Sequence, residues 1–213
     1  QLDVPAIEKA INAKTKAIIL NSPNNPSGAV YTEESLKALN VVLEDAEKKN
    51  GDAIYVVSDE PYVKIVYDGV KVPAISAIFK NSIVVNSFSK SLALPGERIG
   101  YVAVNPAIEE SDVLMDALIF CNRTLGFVNA PGLFQKVAAE HLDDVAGLDA
   151  YKERRDALYE ILIETGYECE KPQGAFYLFP KAPIENDVEF CNRAINHRLV
   201  LVSGTGFGYP GYF

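Results

Sequence analysis

Three short apolar runs set the rhythm of the first half of the chain: Ala17-Ile18-Ile19-Leu20, Ile54-Tyr55-Val56-Val57 and Ile83-Val84-Val85. They are continuous rather than alternating and rich in β-branched residues. That pattern predicts strands covered on both faces, as in a parallel sheet flanked by helices. Between the first two runs the period lengthens. Leu36, Leu39, Leu43 and Ala46 form a stripe at helical spacing. Thr32 can cap this segment, Glu33 and Glu34 occupy its first turn, Lys48 and Lys49 suit its last, and Asn50-Gly51 stops it. A helix over 33–49 between two buried strands is a strand-helix-strand unit, so the chain reads as α/β.

Each apolar run ends abruptly in polar residues: Asn21-Ser22, Ser58-Asp59 and Asn86-Ser87. In open α/β sheets, ligands bind outside the carboxyl ends of the strands. Three polar ends therefore predict one shared site. After the first strand, Asn21-Ser-Pro-Asn-Asn25-Pro26-Ser-Gly28 is ordinary turn chemistry, which alone explains most such sequences. Its functional reading makes Asn25 a hydrogen-bond donor with its backbone fixed by Pro26. Asp59, before Pro61, is more often a cap or turn residue than a catalyst. At this depth it could instead pair with a buried cation, with Tyr62 offering its hydroxyl to the same ligand. The third strand leads into Ser87-Phe88-Ser89-Lys90, with Arg98 eight residues beyond the lysine. A lone lysine at a strand exit is usually solvated. Partly desolvated, its amine can attack a carbonyl, and nearby serines with an arginine fork suit a phosphate dianion. The combination points to a Schiff-base lysine beside a phosphate cradle, the layout of a pyridoxal phosphate site.

Further along, Asp149 is the expected cap of a long helix to Thr165, closed by Gly166, with Tyr151, Leu158 and Leu162 on one face and Arg154-Arg155 on a solvated edge. A boundary near 144–148 divides the chain into domains 1–146 and 147–213. The second comprises Tyr167 to Phe179, a helix from Asp187 to His197 and a strand-like Leu199–Val202. Gly206-Phe-Gly208-Tyr-Pro-Gly211 matches the dinucleotide fingerprint literally. No helix start or acidic residue follows it, so nucleotide binding is not expected.

Charge and cysteine content narrow the function classes. Lys plus Arg number 20 against 29 Asp plus Glu, a net charge of −9, which disfavours nucleic acid and anionic membranes as partners. No apolar run is long enough to span a bilayer. Cys121, Cys169 and Cys191 are scattered without metal-ligand spacing, and His141 and His197 have no paired ligand pattern. No metal is expected, and the cysteine usage fits a reducing cytoplasm.

Taken in order, Pro23-Asn-Asn25-Pro26-Ser-Gly28, Asp59-Glu-Pro-Tyr62, Ser87-Phe-Ser89-Lys90, Gly96-Glu-Arg98-Ile-Gly100, Gly174-Ala-Phe176-Tyr-Leu-Phe-Pro180 and Gly204-Thr-Gly-Phe-Gly-Tyr-Pro-Gly211 resemble the fold type I aminotransferases of class I/II, the aspartate-aminotransferase-like group. The resemblance runs the whole length of the chain. It implies part of a three-layer, mostly parallel-sheet large domain and part of a smaller C-terminal α+β domain. The implied cofactor is pyridoxal 5'-phosphate, held as a Schiff base by Lys90, which also shuttles the proton. Asp59 would pair with the ring nitrogen, Tyr62 and Asn25 with the ring oxygen, and Ser87 and Arg98 with the phosphate, with Ser89 in a secondary role. The implied activity is a ping-pong exchange between an amino acid, aspartate or aromatic, and a 2-oxo acid, in a homodimer. One alternative is α,β-elimination by a carbon-sulfur lyase of the same fold. Another is a non-catalytic module, against which the joint presence of Lys90, Asp59, Tyr62 and Arg98 stands. The family's Gly-rich phosphate loop, ring-stacking aromatic and neighbouring-subunit tyrosine have no counterpart here, and its substrate-carboxylate arginine normally follows a segment like Gly204–Gly211. The expectation is therefore a fragment, inactive by itself, of a polypeptide nearly twice as long.

Overall fold

The computed structural model describes residues 1–213. Its centre is a four-stranded sheet in the order β1 (Ala17–Asn21), β2 (Tyr55–Asp59), β3 (Ser82–Ser87), β4 (Gly100–Val104). The first three strands run parallel and β4 returns antiparallel. All three expected strands form, each extended to include the polar residue at its carboxyl end. The register then sets Asn21 beside Asp59, and Asp59 beside Val85.

The expected helix is α2 (Glu33–Asn50), which follows α1 (Val4–Ala10). The Thr32 hydroxyl accepts from Ser35 N–H at 3.2 Å, and Gly51 closes the helix with a left-handed φ of 74°. Leu36, Leu39 and Leu43 are buried against Leu20 and Val56 of the sheet and Ile54 just before β2, with Ile75 of α3 (Ile75–Ile78) and Phe79 completing the core. Burying each such side chain contributes about 2 kcal/mol, so this cluster stiffens the strands whose ends carry the polar residues.

Coverage of the second sheet face differs from the expectation. Ile19 is 74% exposed, and Val102 of β4, on the same face, is also open. The helices α1, α2 and α3 all sit with the Leu20 side of β1, so within residues 1–213 the non-alternating runs are covered fully on one face only. A short helix, α4 (Phe88–Ser91), leaves β3 directly. Phe88 packs with Ile99 and with Ala138 of α6 (Gly132–Glu140), which follows α5 (Ser111–Thr124).

The long C-terminal helix is α7 (Leu148–Glu164). Its N-cap is Gly147, left-handed at φ 71°, rather than Asp149, which lies in the first turn. Arg154 is exposed as expected, but Arg155 is not on a solvated edge. It is 4% exposed, donates to Asp156 Oδ1 at 2.6 Å and to Pro172 C=O at 3.0 Å, pairs with Asp68 at 2.9 Å, and lies 4.3 Å over the Tyr67 ring. A guanidinium can be buried when acceptors and an aromatic face replace its water.

Beyond α7, the helix α8 (Asp187–Ile195) forms with Asn186 as its cap. Leu199–Val202 joins no ladder, with Val200 88% exposed. The last residues are instead tied back by Gly204 N–H to Tyr212 C=O, Ala182 N–H to Gly211 C=O, and stacking of Phe179 on Tyr212 at 5.2 Å. The fingerprint-like glycines belong to this turn. A 3₁₀ segment at Gly204–Phe207 contains the first of them, and no α-helix follows.

Two glycines fix the loop after β1 against the distant 172–174 segment. A Cβ on Gly28, at φ +66°, would stand 2.5 Å from Pro172 Cβ. One on Gly174 would stand 2.7 Å from Pro23 Cβ. Only hydrogen fits at either position. Gln173 and Gly174 N–H both donate to Gly28 C=O, at 2.9 and 3.0 Å.

Candidate active site

The carboxyl ends of β1, β2 and β3 bring the expected residues to one end of the sheet. Asp59 closes β2 and is half-buried. Asn21 Nδ2 donates to its carboxylate at 3.1 Å and to its backbone carbonyl at 3.0 Å. Burial pushes the Asp59 carboxyl above its ordinary range, and the Asn21 hydrogen bond partly offsets this. No cation pairs with it: the ion pairs of the chain lie elsewhere. Glu60, the next residue, is also raised by burial, and Ser58 donates to it at 2.8 Å.

Asn25 is exposed, and its backbone N–H donates to Asn21 Oδ1 at 2.7 Å. The same asparagine thus links Asn25 and Asp59. Tyr62 is 3% exposed and shares a hydrogen bond with the Tyr177 hydroxyl at 2.9 Å. Desolvation and that partner raise its phenol well above the usual value. Phe176 and Tyr177 meet the Tyr62 ring edge-on, at 5.4 and 5.9 Å between centroids.

Lys90, in the single turn of α4, points its Nζ at aromatic faces, 5.5 Å from the Phe176 centroid and 5.9 Å from that of Tyr62. This joins Lys90 to Tyr62. Ser87 caps α4 without a side-chain bond of its own, and Ser89 is half-buried in that turn. Arg98 is brought alongside by the chain's return: Ser87 pairs with Gly100 across β3 and β4, and Phe88 N–H donates to Ile99 C=O at 3.1 Å. Its backbone is left-handed at φ 51°, a costly conformation for a residue with a Cβ. Its guanidinium is exposed and donates to Pro95 C=O at 2.7 Å rather than to Ser87 or Ser89.

Three participants have no place among the expected site residues. Asn21 was visible as a polar strand end, and only the parallel register shows that it faces Asp59. Phe176 and Tyr177 stood in a quoted motif, but their contact with Tyr62 spans more than a hundred residues of sequence and no local pattern marks it.

Residues 1–213 match the family model for aminotransferase class I and II. The chain belongs to that family. Among curated proteins, this aminotransferase-family chain is 33% identical to an aspartate aminotransferase of Thermotoga maritima, over all of the chain and 54% of that protein. It is 34% identical to aromatic-amino-acid aminotransferase 2 of Thermococcus litoralis, over 99% of the chain and 54% of that protein. Among solved structures, an amino transferase from Eubacterium rectale superposes with a TM-score of 0.96 at 47% identity, covering all of the chain and 53% of that structure. The chain spans about half the length of the relatives it matches. The parallel-dominated α/β sheet is that of these structures. No helix is long and apolar enough to cross a membrane.

Proposed function

We propose that the protein carrying this chain transfers an amino group between an amino acid and a 2-oxo acid with pyridoxal 5'-phosphate, and that Lys90 is its catalytic residue. One observation carries the reading. A carboxylate without a cationic partner (Asp59) and an amine without an anionic one (Lys90) follow adjacent parallel strands, with the Lys90 amine over the Tyr62 ring.

The residues fit the cofactor chemically. Asp59 would hold a proton on the ring nitrogen, and a cation there would favour its ionised form. Tyr62 and Asn25 offer hydrogen bonds to the ring oxygen. Ser87, Ser89 and Arg98 offer hydroxyls and a planar fork to the phosphate. When bound, the cofactor supplies an electron sink for negative charge developing at the substrate α-carbon. The Lys90 amine would take the proton that leaves the α-carbon and return it, screened from water by Phe176 and Tyr62. This chemistry serves a ping-pong exchange. The names of the relatives favour aspartate or an aromatic amino acid as donor, and nothing in the site favours elimination. A homodimer, and a division into domains 1–146 and 147–213, are parts of the same proposal.

The decisive experiment is to load the protein with pyridoxal phosphate, reduce with borohydride and map the peptides. The cofactor is expected on Lys90. Attachment to any other lysine would overturn the assignment.

A further inference from the structure

We propose that Asn21 is a positioning residue that sets both the cofactor acid and the Asn25 loop from a single side chain at the end of β1. Its consequence for the cofactor rests on the reading above. Its geometry does not.

The parallel register puts Asn21 directly beside Asp59. Asn25 N–H can only donate, so the oxygen of the Asn21 amide must face it, and Oδ1 accepts at 2.7 Å. That choice turns the NH₂ group toward β2. There it donates to Asp59 C=O at 3.0 Å and to Asp59 Oδ2 at 3.1 Å. Asn24 Nδ2 closes the loop on Asn21 C=O at 3.4 Å.

Only an amide does all of this. Aspartate at position 21 would keep the acceptor for Asn25 but lose the donor and add a like charge beside Asp59. Alanine would lose both. The arrangement matters because Asp59 is half-buried without a cationic partner. A donated hydrogen bond favours its ionised form against burial, and the carboxylate's orientation is fixed before any ligand arrives.

The two halves of the tether can be tested separately in wild type, Asn21→Ala, Asn21→Asp and Asp59→Asn. The first readout is hydrogen exchange of the Asn25 amide without cofactor. Protection should fall about tenfold in Asn21→Ala and persist in Asn21→Asp. The second is the pH at which pyridoxal phosphate is released on acidification, read from its visible absorbance. Loss of the donor should raise that midpoint by about one pH unit in Asn21→Ala, and by more in Asn21→Asp, where a like charge is added. Asp59→Asn should remove this acid limb.

Unchanged Asn25 protection in Asn21→Ala would overturn the proposal. So would a wild-type midpoint in both Asn21 variants when Asp59→Asn has lost the limb. If the intact wild-type protein retains no pyridoxal phosphate at any pH, the cofactor reading fails and exchange at Asn25 alone decides the tether. If Asn21→Ala does not fold, Asn21→Asp still separates the halves, since it should shift the midpoint while keeping Asn25 protected.

Discussion

Burial makes the ionised form of Asp59 costly. Its folded carboxyl is raised above the unfolded value, chiefly by desolvation. A raised acid contributes stability below its unfolded pKa and loses it as pH rises through the folded one. At neutral pH the cofactor-free protein therefore carries a penalty at this residue. Asp59→Asn should raise the apo melting temperature at pH 7–8, with the gain shrinking toward pH 4. The same substitution should remove about 3 kcal/mol of transition-state stabilisation from transamination, comparable to other preorganised electrostatic contributions. Calorimetry and steady-state kinetics on one preparation check both. Lower stability together with normal turnover would place Asp59 outside the site. Lys90→Ala should eliminate turnover yet leave melting nearly unchanged, because its amine makes only aromatic contacts at 5.5–5.9 Å. A large drop in melting temperature would make Lys90 a structural residue instead.

Among the elements, α7 has a single fully buried residue. Arg155 is its buried member, joining the helix to the turn at Asp68, the ring of Tyr67 and the carbonyl of Pro172. Arg155→Ala should destabilise by about 3 kcal/mol, since it strands the buried Pro172 carbonyl and removes the guanidinium packed over Tyr67. Arg154→Ala should stay within about 0.5 kcal/mol. Arg155→Lys should recover little, because an ammonium cannot match the fork on Asp156 while covering Tyr67. Denaturant titration of the three variants measures this, and equal effects at 154 and 155 would contradict the assigned burial. The contrast shows what sequence could give. α2 was legible because its cap, apolar stripe and stop are all local to residues 32–51. The polar strand ends were legible because β-branched runs break where strands leave the core. Arg155 was not, because its partners lie at Asp68 and Pro172, and helical periodicity cannot distinguish a solvated arginine from one sealed by distant chain. The left-handed Gly147 displaced Asp149 as cap for a similar reason: both residues suit a helix start, and the backbone decides between them.

For the whole molecule, the opposing forces are exposed apolar surface and net charge. α5 has no buried residue, yet Val113 and Phe120 on it are 62% and 67% exposed. Leu125, Phe127 and Leu133 continue the apolar stretch into α6, each at least 70% exposed. A helix held by so little packing gains most by covering such side chains, and exposed aromatic and leucine side chains clustered this way commonly mark contact surfaces. Against this stands a net charge of −9, which repels like copies. At physiological ionic strength the Debye length is about 8 Å, so repulsion is already short-ranged while apolar attraction is unscreened. The 213-residue chain should therefore self-associate, and more strongly as salt rises. Sedimentation velocity at low and high salt measures this, with Phe120→Asn/Phe127→Asn as the comparison. The double variant should shift toward monomer while its helix content by circular dichroism stays the same. Oligomers that dissolve on adding salt would mean that charged contacts hold the copies together, and the apolar α5–α6 surface would lose its assigned role.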